Sequence, residues 1–139
     1  MRHPMSAKVV FACVHNAGRS QMAAAFFNAT SDPKKAVAIS AGTEPATKVH
    51  PEVLEAMREV GIDLAHATPN KLTPELARGS RFLITMGCGE ACPVVPGAAR
   101  EDWPLQDPKG QGPDAVKKIR DEVRERVRVF VTREGWARS

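Results

Sequence analysis

The sequence lacks a long hydrophobic run. The longest uninterrupted one near its start, Val9 to Val14, is too short for a signal-peptide core and far too short to span a bilayer. That argues against a membrane role and makes the cytoplasm the default compartment. Cysteine is scarce: the chain has 3, an odd number that speaks against a disulfide framework. Free thiols in a reducing compartment point instead to reactivity or a metal. Nor is one sign of charge in large excess. The 20 Lys and Arg against 16 Asp and Glu leave +4, which suits an anionic substrate but is no signature of nucleic-acid binding. The basic residues between Lys117 and Arg138 are interleaved with Asp121, Glu122, Glu125 and Glu134, the pattern of a solvated helix face. With 42% hydrophobic and 26% charged residues in 139, the chain has ordinary globular composition. It reads as a single domain over 1–139, able to bury roughly two-thirds of its unfolded surface without a staple. Residues 1–7 read as a short flexible leader.

Periodicity then divides the chain. Lys8 to Cys13 is β-branched and aromatic and reads as a buried strand, after which Ser20 to Asn28 is rich in helix formers. That helix starts near Arg19 or Ser20 and stops before Ser31-Asp32-Pro33. Ala36 to Ser40 reads as a second strand, closed by Ala41-Gly42-Thr43. Val53, Leu54, Met57 and Val60 fall at helical spacing between Pro51 and Gly61, which suit a helix start and a helix end. A short helix is expected from Thr73 to Arg78, and a third strand from Arg81 to Met86, stopped by Gly87. Val94 to Gly97 reads as a turn, and Asp102 to Leu105 as at most a short edge strand, because Pro104 has no ladder donor. Val116, Ile119, Val123, Val127 and Phe130 make one stripe of a final amphipathic helix running to about Arg133. Strands alternating with helices imply an α/β domain with a parallel sheet, whose ligands bind beyond the C-terminal ends of the strands.

The turn from the first strand into the first helix reads Cys13-Val14-His15-Asn16-Ala17-Gly18-Arg19-Ser20. A loop of about five residues closing onto a helix N-terminus directs backbone N–H groups inward, where a tetrahedral oxyanion can accept them. Residues Val14 to Ser20 are therefore the expected oxyanion-binding set. Gly18 permits the tight backbone and Arg19 offers two parallel donors. His15 enters through its backbone, its ring being given no chemical role, and Asn16 is expected to hold the loop shape by bonding to backbone. Cys13 lies at the bottom of this positive field, which favours a thiolate nucleophile aimed at phosphorus or arsenic, with Ser20 placed to donate to the sulfur. Cys88 and Cys92 follow the third strand in a flexible, Gly-flanked loop at the same end of the sheet. As half of a zinc site they would need two more ligands, and His3, His15, His50 and His66 show no ligand spacing.

These residues resemble the low-molecular-weight protein tyrosine phosphatase fold, which carries a C-x5-R-S loop near its N-terminus, and within it the arsenate reductases. The similarity extends through Cys13 to Ala23, Ile39 to Gly42, Thr85 to Pro93 and Asp102 to Gly110. It implies a three-layer α/β sandwich around a central four-stranded parallel sheet. Both branches of the family use a later Asp-Pro pair as acid, matched by Asp107-Pro108, an aspartate that by itself would read as a turn initiator. Phosphatases of the fold follow that pair with two tyrosines, whereas Lys109-Gly110 follow here and the chain has no tyrosine. Reducing arsenate takes two electrons, which thiols supply by ending as a disulfide. The resemblance thus implies attack by Cys13 on arsenate, held by the loop and Arg19, with Asp107 assisting the leaving oxygen. Cys88 then displaces arsenite by forming a disulfide with Cys13, and Cys92 moves the bridge to Cys88–Cys92 for reduction by thioredoxin. Phosphate and sulfate would compete as oxyanions. Some members hold a potassium ion beside the cysteine loop with an acid on the first helix; the matching stretch here is Ala23-Ala24-Ala25, and Asn70 stands where those members have an acid. No metal or organic cofactor is implied for the chemistry. The alternatives are a phosphatase of this fold, a reductase coupled to mycothiol and a glutaredoxin-like partner, and a noncatalytic oxyanion-binding or arsenic-sensing module.

Overall fold

A computed structural model describes residues 6–87 and 94–138. In chain order the elements are β1 (Ala7–Cys13), α1 (Arg19–Thr30), β2 (Ala36–Gly42), α2 (Pro51–Arg58), α3 (Pro74–Ala77), β3 (Phe82–Thr85), β4 (Ala99–Asp102) and α4 (Pro113–Glu134). The strands form one 4-stranded sheet in the order β2-β1-β3-β4. Every neighbouring pair is parallel, with Cys13 opposite Gly42, Ala12 opposite Thr85, and Thr85 opposite Asp102. Parallel pairing sends all C-terminal strand ends to one edge, so the loops after Cys13, Gly42, Thr85 and Asp102 converge there.

Period-two alternation distributes β1 between two cores. Val9, Phe11 and Cys13 join α1, α2 and α4 in the larger one. Val10 and Ala12 pack with Leu72, Ala77 and Leu83 on the opposite face. Helices therefore cover both faces of the parallel sheet, as the three-layer expectation requires, and a strand buried on both sides reads as the nearly continuous apolar run seen in the sequence. Phe130 organises the larger core: its ring lies 5.0 Å from Phe82, 5.7 Å from Trp136, 5.8 Å from Trp103 and 6.0 Å from Phe27. The predicted α4 stripe is buried in full, and the helix ends at Gly135 with φ 74, the left-handed cap glycine supplies most easily. Between stripe positions, Arg120 is also buried; its Nη1 donates to Ala56 O at 2.9 Å and reaches Glu59 at 3.1 Å, tying α4 to α2.

Several boundaries differ from the sequence-based expectations. Residues 6 and 7, expected in a leader, belong to the fold: Ala7 opens β1 opposite Ala36, and the Ser6 hydroxyl donates to Pro33 O and Lys34 O. β4 lies three residues earlier than expected, over Ala99–Asp102; Trp103 N–H still donates to Thr85 O at 2.8 Å, and the ladder stops at Pro104, which has no N–H to give. β2 runs on to Gly42 because its last residues pair with the end of β1. The second helix ends at Arg58, ahead of the turn that carries Gly61 at φ 84. Thr73 caps α3 as expected, its hydroxyl accepting from Leu76 N at 3.1 Å. Among the described residues no helix is long and apolar enough to cross a membrane.

Candidate active site

The loop from Cys13 to Gly18 is shaped from outside. Its carbonyls are all engaged: Cys13 O accepts from Thr43 N at 3.1 Å, Val14 O from Glu44 N at 2.8 Å, His15 O from Ala46 N at 2.9 Å, and Ala17 O from His50 N at 3.0 Å. Asn16 O accepts from Gln21 Nε2 at 3.1 Å, and Gly18 O from Met22 N at 3.0 Å, the first turn of α1. In a trans peptide the C=O and the following N–H point in opposite directions. Anchoring this run of carbonyls outward therefore turns the N–H groups of residues 14–19 toward the concave side, where the sulfur sits. Asn16 N–H shows the result directly, donating to Cys13 Sγ at 3.2 Å. Gly42 makes room for this wrapping, since a Cβ there would lie 2.5 Å from Val14 O.

The start of α1 adds to the same field. It has no side-chain cap and no acidic residue in its first turn, so its free N–H groups and dipole face the loop unneutralised. An anion in the cradle would take the place that a capping carboxylate takes elsewhere.

A hydrogen-bond chain with one consistent direction reaches the sulfur. Asn70 backbone N–H donates to Asn16 Oδ1 at 2.8 Å, which fixes the amide's orientation, because a backbone N–H can only donate. Asn16 Nδ2 then donates to Ser20 Oγ at 2.7 Å. Ser20 Oγ lies 2.8 Å from Cys13 Sγ, and toward a thiolate sulfur, which can only accept, its hydroxyl is the donor. Cys13 is 2% exposed, so its sulfur is supported by two donors in a site largely shut off from bulk water. The expected Asn16-to-backbone bond is present, and its partner is distant in sequence.

Arg19 is equally constrained. Its Nη1 donates to Leu105 O at 3.0 Å and its Nη2 lies 3.7 Å from Asp107 Oδ2. Asp107 Oδ1 accepts from Lys109 N at 3.0 Å, so this aspartate initiates a turn and faces the arginine at once. Pro108 closes on the loop from above: a Cβ at Gly18 would come within 2.7 Å of its ring. His15 Nδ1 bonds Glu44 O at 3.1 Å, a contact on the rim rather than in the cradle.

Structure thus brings Cys13, Arg19, Ser20, Asp107 and the loop backbone together at the C-terminal edge of the sheet. Cys88 and Cys92 lie outside the described residues; Gly87, the residue before them, is next to Arg19. Among the described residues no group of three or more His, Cys, Asp or Glu side chains is arranged to hold a metal ion. Sequence reasoning missed Gln21, the backbone donors of residues 43–50 and the role of Gly87. Gln21 carried a faint signal, a polar residue directly before the apolar run Met22 to Phe27 of α1; the backbone donors carried none, because any residue except proline supplies an N–H.

A parallel α/β sheet with a cysteine-and-arginine anion cradle at the end of its central strand defines a class, and the comparison with family models agrees. The low molecular weight phosphotyrosine protein phosphatase model matches residues 8–135, and the chain belongs to that family. Within it, curated relatives at 32–37% identity bear the name arsenate reductase. Arsenate reductase 1 of Staphylococcus epidermidis is 34% identical over 129 residues, 90% of this chain and 96% of the relative. The glutaredoxin arsenate reductase of Synechocystis sp. is 36% identical over 129 residues, 91% of this chain and 97% of the relative. Among solved structures, a thioredoxin-dependent arsenate reductase of Corynebacterium glutamicum superposes with a TM-score of 0.80 at 39% identity, covering 93% of this chain; the chain spans 62% of that protein's length.

Proposed function

We propose that this protein reduces arsenate to arsenite in a reducing, cytoplasmic compartment, with Cys13 as nucleophile. The observation that carries the reading is the direction of the groups around Cys13 Sγ: outward-anchored carbonyls, inward N–H groups, the Ser20 hydroxyl on the sulfur, and Arg19 beside Asp107. Such a cradle binds a tetrahedral oxyanion and holds its central atom against the thiolate, so phosphate and sulfate compete with arsenate.

In the first step Cys13 Sγ bonds to As(V) and one As–O bond breaks. The departing oxygen takes a proton from Asp107 and leaves as water. Cys88 thiolate then attacks Cys13 Sγ. An S–S bond forms, the S–As bond breaks with its electron pair left on arsenic, and As(III) departs as arsenite. Cys92 thiolate attacks Cys88, which moves the disulfide to Cys88–Cys92 and frees Cys13. A dithiol of the thioredoxin class supplies the two electrons that restore the thiols. Each bridge requires Cα atoms within about 7 Å, so Cys88 must reach Cys13 and Cys92 in turn.

The reductant is assigned to thioredoxin because two cysteines beyond the nucleophile provide an internal bridge to hand over, and because the Corynebacterium structure is described as thioredoxin-dependent. The Synechocystis relative bears the glutaredoxin name, which makes the partner the first thing to test. Arsenate-dependent NADPH oxidation is measured with thioredoxin and thioredoxin reductase, and in parallel with mycothiol and its glutaredoxin-like partner. Sustained turnover with thioredoxin is expected. Turnover with the small thiol alone would keep the reductase and discard the Cys92 step. Activity with neither, together with hydrolysis of an aryl phosphate that Cys13→Ser abolishes and Cys88→Ser leaves intact, would make the protein a phosphatase.

A further inference from the structure

Asn16 is fully buried and has φ 51, the positive φ among the described non-glycine residues. This left-handed conformation is unfavourable for a residue with a side chain, and groups outside the cradle hold it. Gln21 Nε2 lies 3.1 Å from Asn16 O, 3.2 Å from Asn16 Oδ1 and 3.2 Å from Thr68 O. Asn70 donates its backbone N–H to Asn16 Oδ1 at 2.8 Å and its side-chain Nδ2 to Ser40 O at 3.2 Å. The outcome is a nest of oxygens from Asn16, Ser40 and Thr68 filled by the N–H groups of two neutral amides.

Oxygens gathered in this way are also the ligands of a hard cation, usually with a carboxylate to balance its charge. The donor set here does not fit one. Asn16 Oδ1 accepts from two N–H groups, Asn16 O, Thr68 O and Ser40 O each accept from a side-chain amide, the helix offers Ala23, Ala24 and Ala25 where an acid would stand, and position 70 is an asparagine. An N–H and a cation compete for the same oxygen dipoles, and a nest already bonded to N–H groups, with no carboxylate among its oxygens, has little left to offset a cation's lost hydration.

We propose that Gln21 and Asn70 are positioning residues of this enzyme, whose amide N–H groups hold Asn16 and the Cys13 loop in their bonded shape without an alkali cation. Their effect on chemistry passes through Asn16 Nδ2, which orients the Ser20 hydroxyl toward Cys13 Sγ. Only the kinetic part of this inference rests on the reductase reading; the loop-holding part is a statement about oxyanion binding.

The test measures how well phosphate protects Cys13 of the full chain from iodoacetamide, resolved by peptide mass, in potassium chloride and in choline chloride at equal ionic strength. Wild-type protection is expected to be the same in both salts. Gln21→Met keeps the length of the side chain but removes its donors, and should weaken protection about tenfold in both salts, the scale of a lost buried hydrogen bond. Asn70→Asp puts a carboxylate against Ser40 O, and should weaken protection in choline and regain it in potassium. In the coupled arsenate assay the same variants should raise KM more than they lower kcat. Potassium-specific strengthening of the wild type would overturn the proposal, as would Gln21→Met behaving like the wild type. If Gln21→Met fails to fold, Asn70→Asp decides: equal protection in the two salts overturns the proposal, and potassium-specific recovery supports it. Should no form turn over arsenate, the reductase reading fails while the protection measurement still settles the role of these amides.

Discussion

The Arg19 guanidinium lies over the backbone of Gly87, where a Cβ would overlap its Nη1. Gly87 has φ 103, a region closed to most side chains, and it directly follows Met86, whose N–H donates to Ala12 O at 2.7 Å. The arginine of the cradle and the residue that leads into Cys88 therefore share one contact. Gly87→Ala should displace Arg19 and raise the arsenate KM by about tenfold or more, as expected for loss of a charge-assisted hydrogen bond. Phosphate titration by calorimetry checks it; unchanged affinity would mean that Arg19 keeps its place by another route.

Ser20 links Asn16 to the sulfur. In Ser20→Ala the hydrogen bond at 2.8 Å to Cys13 Sγ is lost, and alkylation of Cys13 at neutral pH should slow about tenfold. Ser20→Thr retains the hydroxyl and should stay close to the wild type. Iodoacetamide kinetics on each variant measures both.

The relay predicts different arrests at its two outer cysteines. Cys88→Ser should bind phosphate normally yet release no arsenite. Cys92→Ser should release about one arsenite per chain and stop as a Cys13–Cys88 disulfide. Quenched reactions read by peptide mass separate these states, and continuous turnover of Cys92→Ser with thioredoxin would place the reductant at Cys88.

Acid stability should depend on the tie between α2 and α4. Glu59 lies 3.2 Å from Lys117 Nζ and 3.1 Å from Arg120 Nη1. The hydrogen bond from Lys117, aided by Arg120, holds its carboxyl below the usual 4.5. A carboxylate whose value is lowered by folding stabilises the fold above its unfolded value, and that contribution is lost as pH falls through the folded one. Urea midpoints of wild type and Glu59→Gln should therefore differ above the ordinary glutamate range and converge below it. The difference will be modest because Glu59 and Lys117 stay partly exposed to solvent.

Much of the fold was legible because it follows from local pattern. The apolar run of β1, the stripe of α4 and the Thr73 cap each express a short-range rule, and each lies where it was expected. The errors occurred where a local rule met a pairing rule. Asp102 to Leu105 drew attention through its proline, yet the strand is set by the pairing of Ala99–Asp102 with β3. Ala7 looked like a leader residue until its pairing with Ala36 ordered it.

For the site, the sequence by itself determined which candidate side chains are present: a cysteine at a strand end, an arginine six residues on, a serine at the helix start and an Asp-Pro pair on a later loop. These are choices of side chain, and side chains are what a sequence states. Only the tertiary structure decided how the backbone around them points. Four carbonyls of the loop are turned outward by N–H groups of residues 43–50, Asn16 is held by Gln21 and Asn70, and Arg19 is steered by Leu105 and Gly87. Most of those partners are remote in the chain, and many act through peptide groups that nearly every residue carries, so they emerge when the sheet brings the strand ends to one edge.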